Sequence, residues 1–122
     1  MNVILHIAKE SDWKKARASA QYRADTLASE GFIHCSTREQ VIRVANALFR
    51  GREDLVLLCI DSEMVETEIR YENLEGGDER FPHVYGPINL NAVVAVLDFA
   101  PQADGTFTLP EGLPLTREQK GE

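Results

Sequence analysis

The chain has 122 residues, a size that accommodates one domain, with 20 acidic against 13 basic side chains and a formal charge of -7. That balance argues against general affinity for nucleic acid or anionic membranes, both of which need clustered cations. No run reaches the roughly 18 apolar residues of a spanning helix, and the 43% apolar and 27% charged composition is that of a globular protein rather than a disordered one.

Residues 3–7 are apolar and mostly β-branched, which predicts a buried strand with Val3, Leu5 and Ile7 on one face and Ile4 and His6 on the other. Residues 1–8 lack the basic start of a signal peptide and run into Lys9-Glu10, so no leader is expected. Ser11 is placed to cap a helix from 12 to about 20, with Trp13, Ala16 and Ala20 as its apolar stripe. Residues 21–30 read as a linker with one helical turn near 26–28. Gly31 opens a strand over 32–35. Ser36-Thr37-Arg38-Glu39 has capping-box spacing and predicts a helix over 37–49, with Val41, Val44, Ala45 and Leu48 inward and Gly51 ending it.

Residues 54–61 are almost wholly apolar, the mark of a central strand buried on both faces. A strand over 67–73 follows, with Ile69 and Tyr71 on one side and Arg70 and Glu72 on the other. Residues 74–80 form a charged loop with a Gly76-Gly77 hinge, and Pro82 and Pro87 hold the next segment extended as a stiff loop. A helical turn at 90–92 precedes a strand over 92–99, and a turn at 101–105 leads to a short edge strand over 106–109. Two early helices and a late run of strands give an α+β domain over 1–109, with 110–122 as a loose C-terminal tail.

Two motifs hold two of the three histidines: Gly31-Phe32-Ile33-His34-Cys35-Ser36 and Phe81-Pro82-His83-Val84-Tyr85-Gly86-Pro87. Period-two alternation sends Phe32, His34 and Ser36 to one face of their strand, and lets Phe81, His83 and Tyr85 share another. At Ser36 a strand gives way to a helix whose first amides can hold a phosphate or carboxylate. Ser36 is then either a plain helix cap or a ligand donor, and His34 either a core histidine or a site residue. His6 reads first as a satisfied core histidine. Cys35 cannot reach His34, because neighbours on a strand point apart, and an inert buried thiol is the simpler reading. Cys35 and Cys59 together fit a cytoplasmic location. The spacing of the histidines lacks any zinc pattern, so no metal is expected. Asp61, Glu66, Glu68 and Glu72 lie near strand ends; any can be a catalytic acid, and most are expected to be solvated.

Leu5-His6-Ile7, Trp13, Tyr22, residues 30–36, Gln40, residues 57–61 and residues 81–89 resemble a widespread, largely bacterial family known only as a domain of unknown function, over about 3–99. Its fold is similar to that of ADP-ribosyltransferases and RNA 2'-phosphotransferases, an α+β fold with a split, cleft-forming sheet. The resemblance implies a nucleotide-sized groove and admits NAD as cofactor, although no cofactor is established for the family. In NAD-using relatives a first-strand histidine touches the nicotinamide ribose, and His6 occupies the matching place. The stacking tyrosine and the acidic residue of those relatives have no match here, nor does the phosphotransferases' set of one histidine and three arginines.

The expected site is therefore a cleft binding a nucleotide or similar anionic small molecule. His34 and His83 would exchange protons as catalytic residues, and His6, Phe32, Ser36 and Tyr85 would bind the ligand. The expected activity is ADP-ribosyl- or phosphoryl-transferase-like. The alternative is a non-catalytic module for a metabolite or peptide.

Overall fold

The computed structural model describes residues 1–74 and 76–114. Among the described residues, eight strands and three α-helices run in the order β1 (Val3–Lys9), α1 (Glu10–Ser19), β2 (Gln21–Tyr22), α2 (Asp25–Glu30), β3 (Ile33–His34), α3 (Val41–Leu48), β4 (Leu55–Asp61), β5 (Glu68–Glu72), β6 (Phe81–Tyr85), β7 (Ile88–Asn89) and β8 (Val93–Asp98). They form two three-stranded antiparallel sheets, β1-β4-β8 and β3-β6-β5, and a small β2-β7 pair. The two larger sheets are joined where Leu5 and Ser36 exchange both backbone hydrogen bonds. The domain is thus α+β with a sheet split in two.

β4 is buried along its whole length because it sits between β1 and β8 and meets a core on each face. Ile4, Leu58 and Ile60 face one core with Ile33, Val84 and Ile88; Val3, Leu5, Leu57 and Cys59 face the other with Val41, Ala45 and Phe107. The alternation read in residues 3–7 is the alternation observed.

Several expected boundaries move. β1 continues to Lys9, which pairs with Leu55, and Glu10 N–H donates to Asp54 O, so α1 starts two residues early and Ser11 lies inside its first turn instead of capping it. The segment expected as a linker contains α2, ended by Gly31, whose left-handed backbone (φ 89°) lets its amide reach the carbonyls of Thr26 and Leu27. The capping box at Ser36 does not form. Thr37 N–H is taken by the Gln40 side chain, residues 37–40 make a turn, and α3 begins only at Val41. Leu48, expected to face inward, is 73% exposed.

Residues 81–85 form the middle strand of a sheet, not the stiff loop expected. Pro82 is tolerated there because its carbonyl still accepts from Cys35 N–H, while its missing donor sits where β3 ends. The edge strand expected at 106–109 is absent. Asn46 Oδ1 captures Phe107 N–H, and Phe107 stacks on Phe99 in the core. Of the expected tail, Leu113 packs against that same core, and residues 115–122 lie outside the described residues.

Gly86 turns the chain from β6 into β7 with φ 154°, and a Cβ there would lie 2.5 Å from Thr67 Cγ2 and 2.9 Å from Thr67 Cβ. Gly86→Ala is expected to cost about 2 kcal/mol through backbone strain and displacement of Thr67, read as a fall in the midpoint of denaturant unfolding.

Candidate functional site

β3 pairs with β6 so that Ile33 opposes Val84 and His34 opposes His83, and β6 pairs with β5 so that His83 opposes Arg70. Directly paired residues share a face. Ile33, Val84 and Ile69 therefore point into the core, while Phe32, His34, His83, Tyr85 and Glu72 gather on the opposite face. That face forms part of the wall of a groove of about 880 Å³, whose lining also includes Tyr22, Asp25, Glu30, Leu48 and Phe81. The volume falls in the range of small-molecule sites.

His34 and His83 have ring centroids 5.3 Å apart, and the Phe32 ring lies over His83 at 4.2 Å, nearly parallel. Each imidazole has its own carboxylate: His34 Nε2 lies 3.0 Å from Glu30 Oε1, and His83 Nδ1 lies 2.9 Å from Glu72 Oε1. The two pairs differ in setting. Glu30 and His34 are both about half exposed, whereas His83 is only 4% exposed. Glu72 Oε1 also accepts the Tyr85 hydroxyl at 2.6 Å, and the Arg70 guanidinium lies 4.4 Å from the centre of the Tyr85 ring. The Tyr85 hydroxyl, then His83, hold the Glu72 carboxyl below its ordinary range, and Glu72 in turn raises Tyr85.

His6 also borders the groove, but the fold engages both its nitrogens. Nδ1 lies 2.6 Å from His34 O, and because a carbonyl only accepts, Nδ1 carries the proton. Nε2 lies 2.8 Å from the Tyr22 hydroxyl, which donates to it. Burial drives the His6 pKa down from 6.5 to about 4, and burial likewise pushes the Tyr22 hydroxyl up. His6 thus ties β1, β2 and β3 together as a neutral ring.

Ser36 is buried with its amide and carbonyl both bonded to Leu5, and no helix begins at its amide, so the expected anion cradle is not assembled there. Phe32 lies over His83, and Tyr85 stands between Glu72 and Arg70, away from the groove lining. Cys35 and Cys59 are free and buried; desolvation raises both thiols, Cys59 to about 11. Among the described residues, no three His, Cys, Asp or Glu side chains are placed to hold a metal ion, and no helix is long and apolar enough to cross a membrane.

Sequence reasoning missed Glu30, Tyr22 and the pairing role of Glu72. Gly31 was the available signal for Glu30: read as a helix C-terminus, it places Glu30 on the last turn, four residues before His34.

These features define a small α+β domain with a histidine- and carboxylate-lined groove beside a split sheet. Residues 7–96 match the family described as Protein of unknown function (DUF952), and the chain belongs to that family. It is also similar to protein CC0527 from Caulobacter crescentus, at 33% identity. The crystal structure of that protein superposes with a TM-score of 0.80 over 88% of this chain and 95% of that one, and its solution structure with 0.79 over 93% and 97%. No protein of curated function matches the sequence.

Proposed function

We propose that the groove binds a nucleotide or similar anionic small molecule, and that His34 and His83 move protons to and from it. The observation that carries this reading is the pairing of two imidazoles from adjacent strands, each bonded to its own carboxylate, on the wall of a groove of ligand size. The split about the Leu5–Ser36 bridge supports an ADP-ribosylation-like fold, and transferase chemistry on an ADP-ribosyl or phosphoryl group is the reaction class that goes with it. The same reading makes this a bacterial, cytoplasmic protein, consistent with two free buried thiols.

NAD does not fit as the NAD-using relatives of that fold hold it. His6 has no nitrogen left for a ribose, no tyrosine of this chain matches the stacking one, and the Phe32 ring already covers His83. NAD therefore enters only as one ligand to be tried.

The groove's cations are already engaged: Lys9 pairs with Asp25 and Arg43 with Glu79. An anion must draw its compensating charge from the half-exposed His34, so binding takes up a proton and affinity is expected to rise as pH falls. The test is a thermal-shift screen of the full chain against AMP, ADP, ADP-ribose, NAD and inorganic phosphate at several pH values. A ligand at 100 times its dissociation constant adds about 2.7 kcal/mol of stability, a readily measured shift. Silence toward every nucleotide would sink the proposal, and pH-independent affinity would remove the imidazoles from it.

One observation favours a non-catalytic binding module instead: both ring nitrogens of His6 are spent on the fold, which leaves fewer groups for chemistry. Turnover of an ADP-ribosyl or phosphoryl compound that the chain binds separates the two readings.

A further inference from the structure

We infer that Glu72 is a positioning residue that holds His83 as the proton acceptor of this site, directed at a hydroxyl or a water, and that His34 is not its equivalent. The inference rests on the groove being a ligand site and assigns roles within it.

An ionised carboxylate offers no proton, so the bond between Glu72 Oε1 and His83 Nδ1 places the imidazole proton on Nδ1. In the neutral ring the lone pair then lies on Nε2. Among the described residues no protein group hydrogen-bonds Nε2, and His83 lines the groove. A bare nitrogen on a ring otherwise enclosed by protein is the arrangement of a carboxylate-held general base. The Tyr85 hydroxyl on the same carboxylate oxygen fixes the carboxylate itself.

When a hydroxyl or water gives its proton to Nε2, the electron pair stays on the oxygen and His83 becomes an imidazolium. Every group facing it accommodates that charge except Arg70, which is directed elsewhere. Glu72 is negative, and the face of Phe32 lies 4.2 Å away, where aromatic rings attract cations. Arg70, opposite on β5, is turned to Glu68 and to the Tyr85 ring. His34 meets the His83 ring nearly edge-on and is bonded to Glu30 in a half-exposed pair, without a second brace on the carboxylate.

The test reads the tautomer of His83 by ¹⁵N NMR of the imidazoles in the full chain without ligand, so it stands whether or not any nucleotide binds. In the unmodified protein Nδ1 is expected to carry the proton and Nε2 to give the signature of a bare nitrogen, a preference of at least about tenfold from the charge-assisted bond. Glu72→Gln is expected to bring the two tautomers close to equal, because an amide can donate to Nδ1 as well as accept from it. Glu72→Asp is expected to restore part of the preference, and Glu30→Gln to leave His83 unmoved. A proton found on Nε2 in the unmodified protein overturns the inference, a measurement that needs no variant to fold. So does a Glu72→Gln spectrum with the tautomer unchanged.

Discussion

Stability of this domain is expected to fall by about 3 kcal/mol as pH drops from 7 to 4, through His6 alone. The folded ring has a pKa near 4, against 6.5 for a free imidazole. Below 6.5 the unfolded chain takes up a proton that the folded chain refuses, so folding weakens as pH falls. The loss starts near 6.5 and is complete near 4. The carboxylates held below their ordinary range, Glu72, Glu68, Asp54 and Asp104, add a separate loss at still lower pH. Denaturant unfolding at half-unit pH steps checks the window. His6→Gln can donate to His34 O and accept from Tyr22 without titrating, and is expected to flatten the curve above pH 4. His6→Ala is expected to cost about 4 kcal/mol at pH 7, because the Tyr22 hydroxyl and the His34 carbonyl lose their partner and a cavity opens. A wild-type curve level between 6.5 and 4.5 would show that His6 is not held neutral.

The second large effect lies in β4. Leu58→Ala is expected to destabilise the fold by about 3–4 kcal/mol, the cost of a cavity in a region that cannot collapse around it. Leu58 is fully buried between its partners His6 on β1 and Val96 on β8, and it faces the core shared with Ile33 and Val84 beneath the site. Leu48→Ala, also a leucine truncation, is expected to change stability by less than about 0.5 kcal/mol, because the residue is 73% exposed. Leu48 lines the groove, so its truncation is expected to weaken ligand binding instead. Equal unfolding midpoints for the two variants would contradict the burial assigned to β4.

Much of the fold is legible in local pattern. The unbroken apolar run at 55–60 can only be a strand covered on both faces, and the helical turn at 90–92 lies where the sequence places it. Three of the errors share a cause: a distant group captured a backbone amide that local signals had assigned elsewhere. Asp54 O takes Glu10 N–H and starts α1 early, and Asn46 takes Phe107 N–H and cancels an edge strand. Leu5 O takes Ser36 N–H, the amide that Glu39 would have to reach to close a capping box. Gly31 was ambiguous because a glycine that ends a helix and one that opens a strand look alike in sequence.

The site shows the same division. Alternation alone puts Phe32 with His34, and His83 with Tyr85, on single faces of their own strands. Nothing local says that the two faces are one. That follows from the register in which Ile33 meets Val84 and His34 meets His83, and a slip by one residue would bury the imidazoles and expose the apolar side. The carboxylates depend on it too: Glu72 reaches His83 across a strand pair, and Glu30 reaches His34 only because α2 ends at Gly31. The sequence determined where the imidazoles and aromatic rings stand along their strands and which way each points, since those depend on residue type and backbone period. Tertiary structure decided which of them meet, and it bound both nitrogens of His6 and the backbone of Ser36 into the fold, because strand pairing is set by burying apolar surface contributed by segments far apart in the chain.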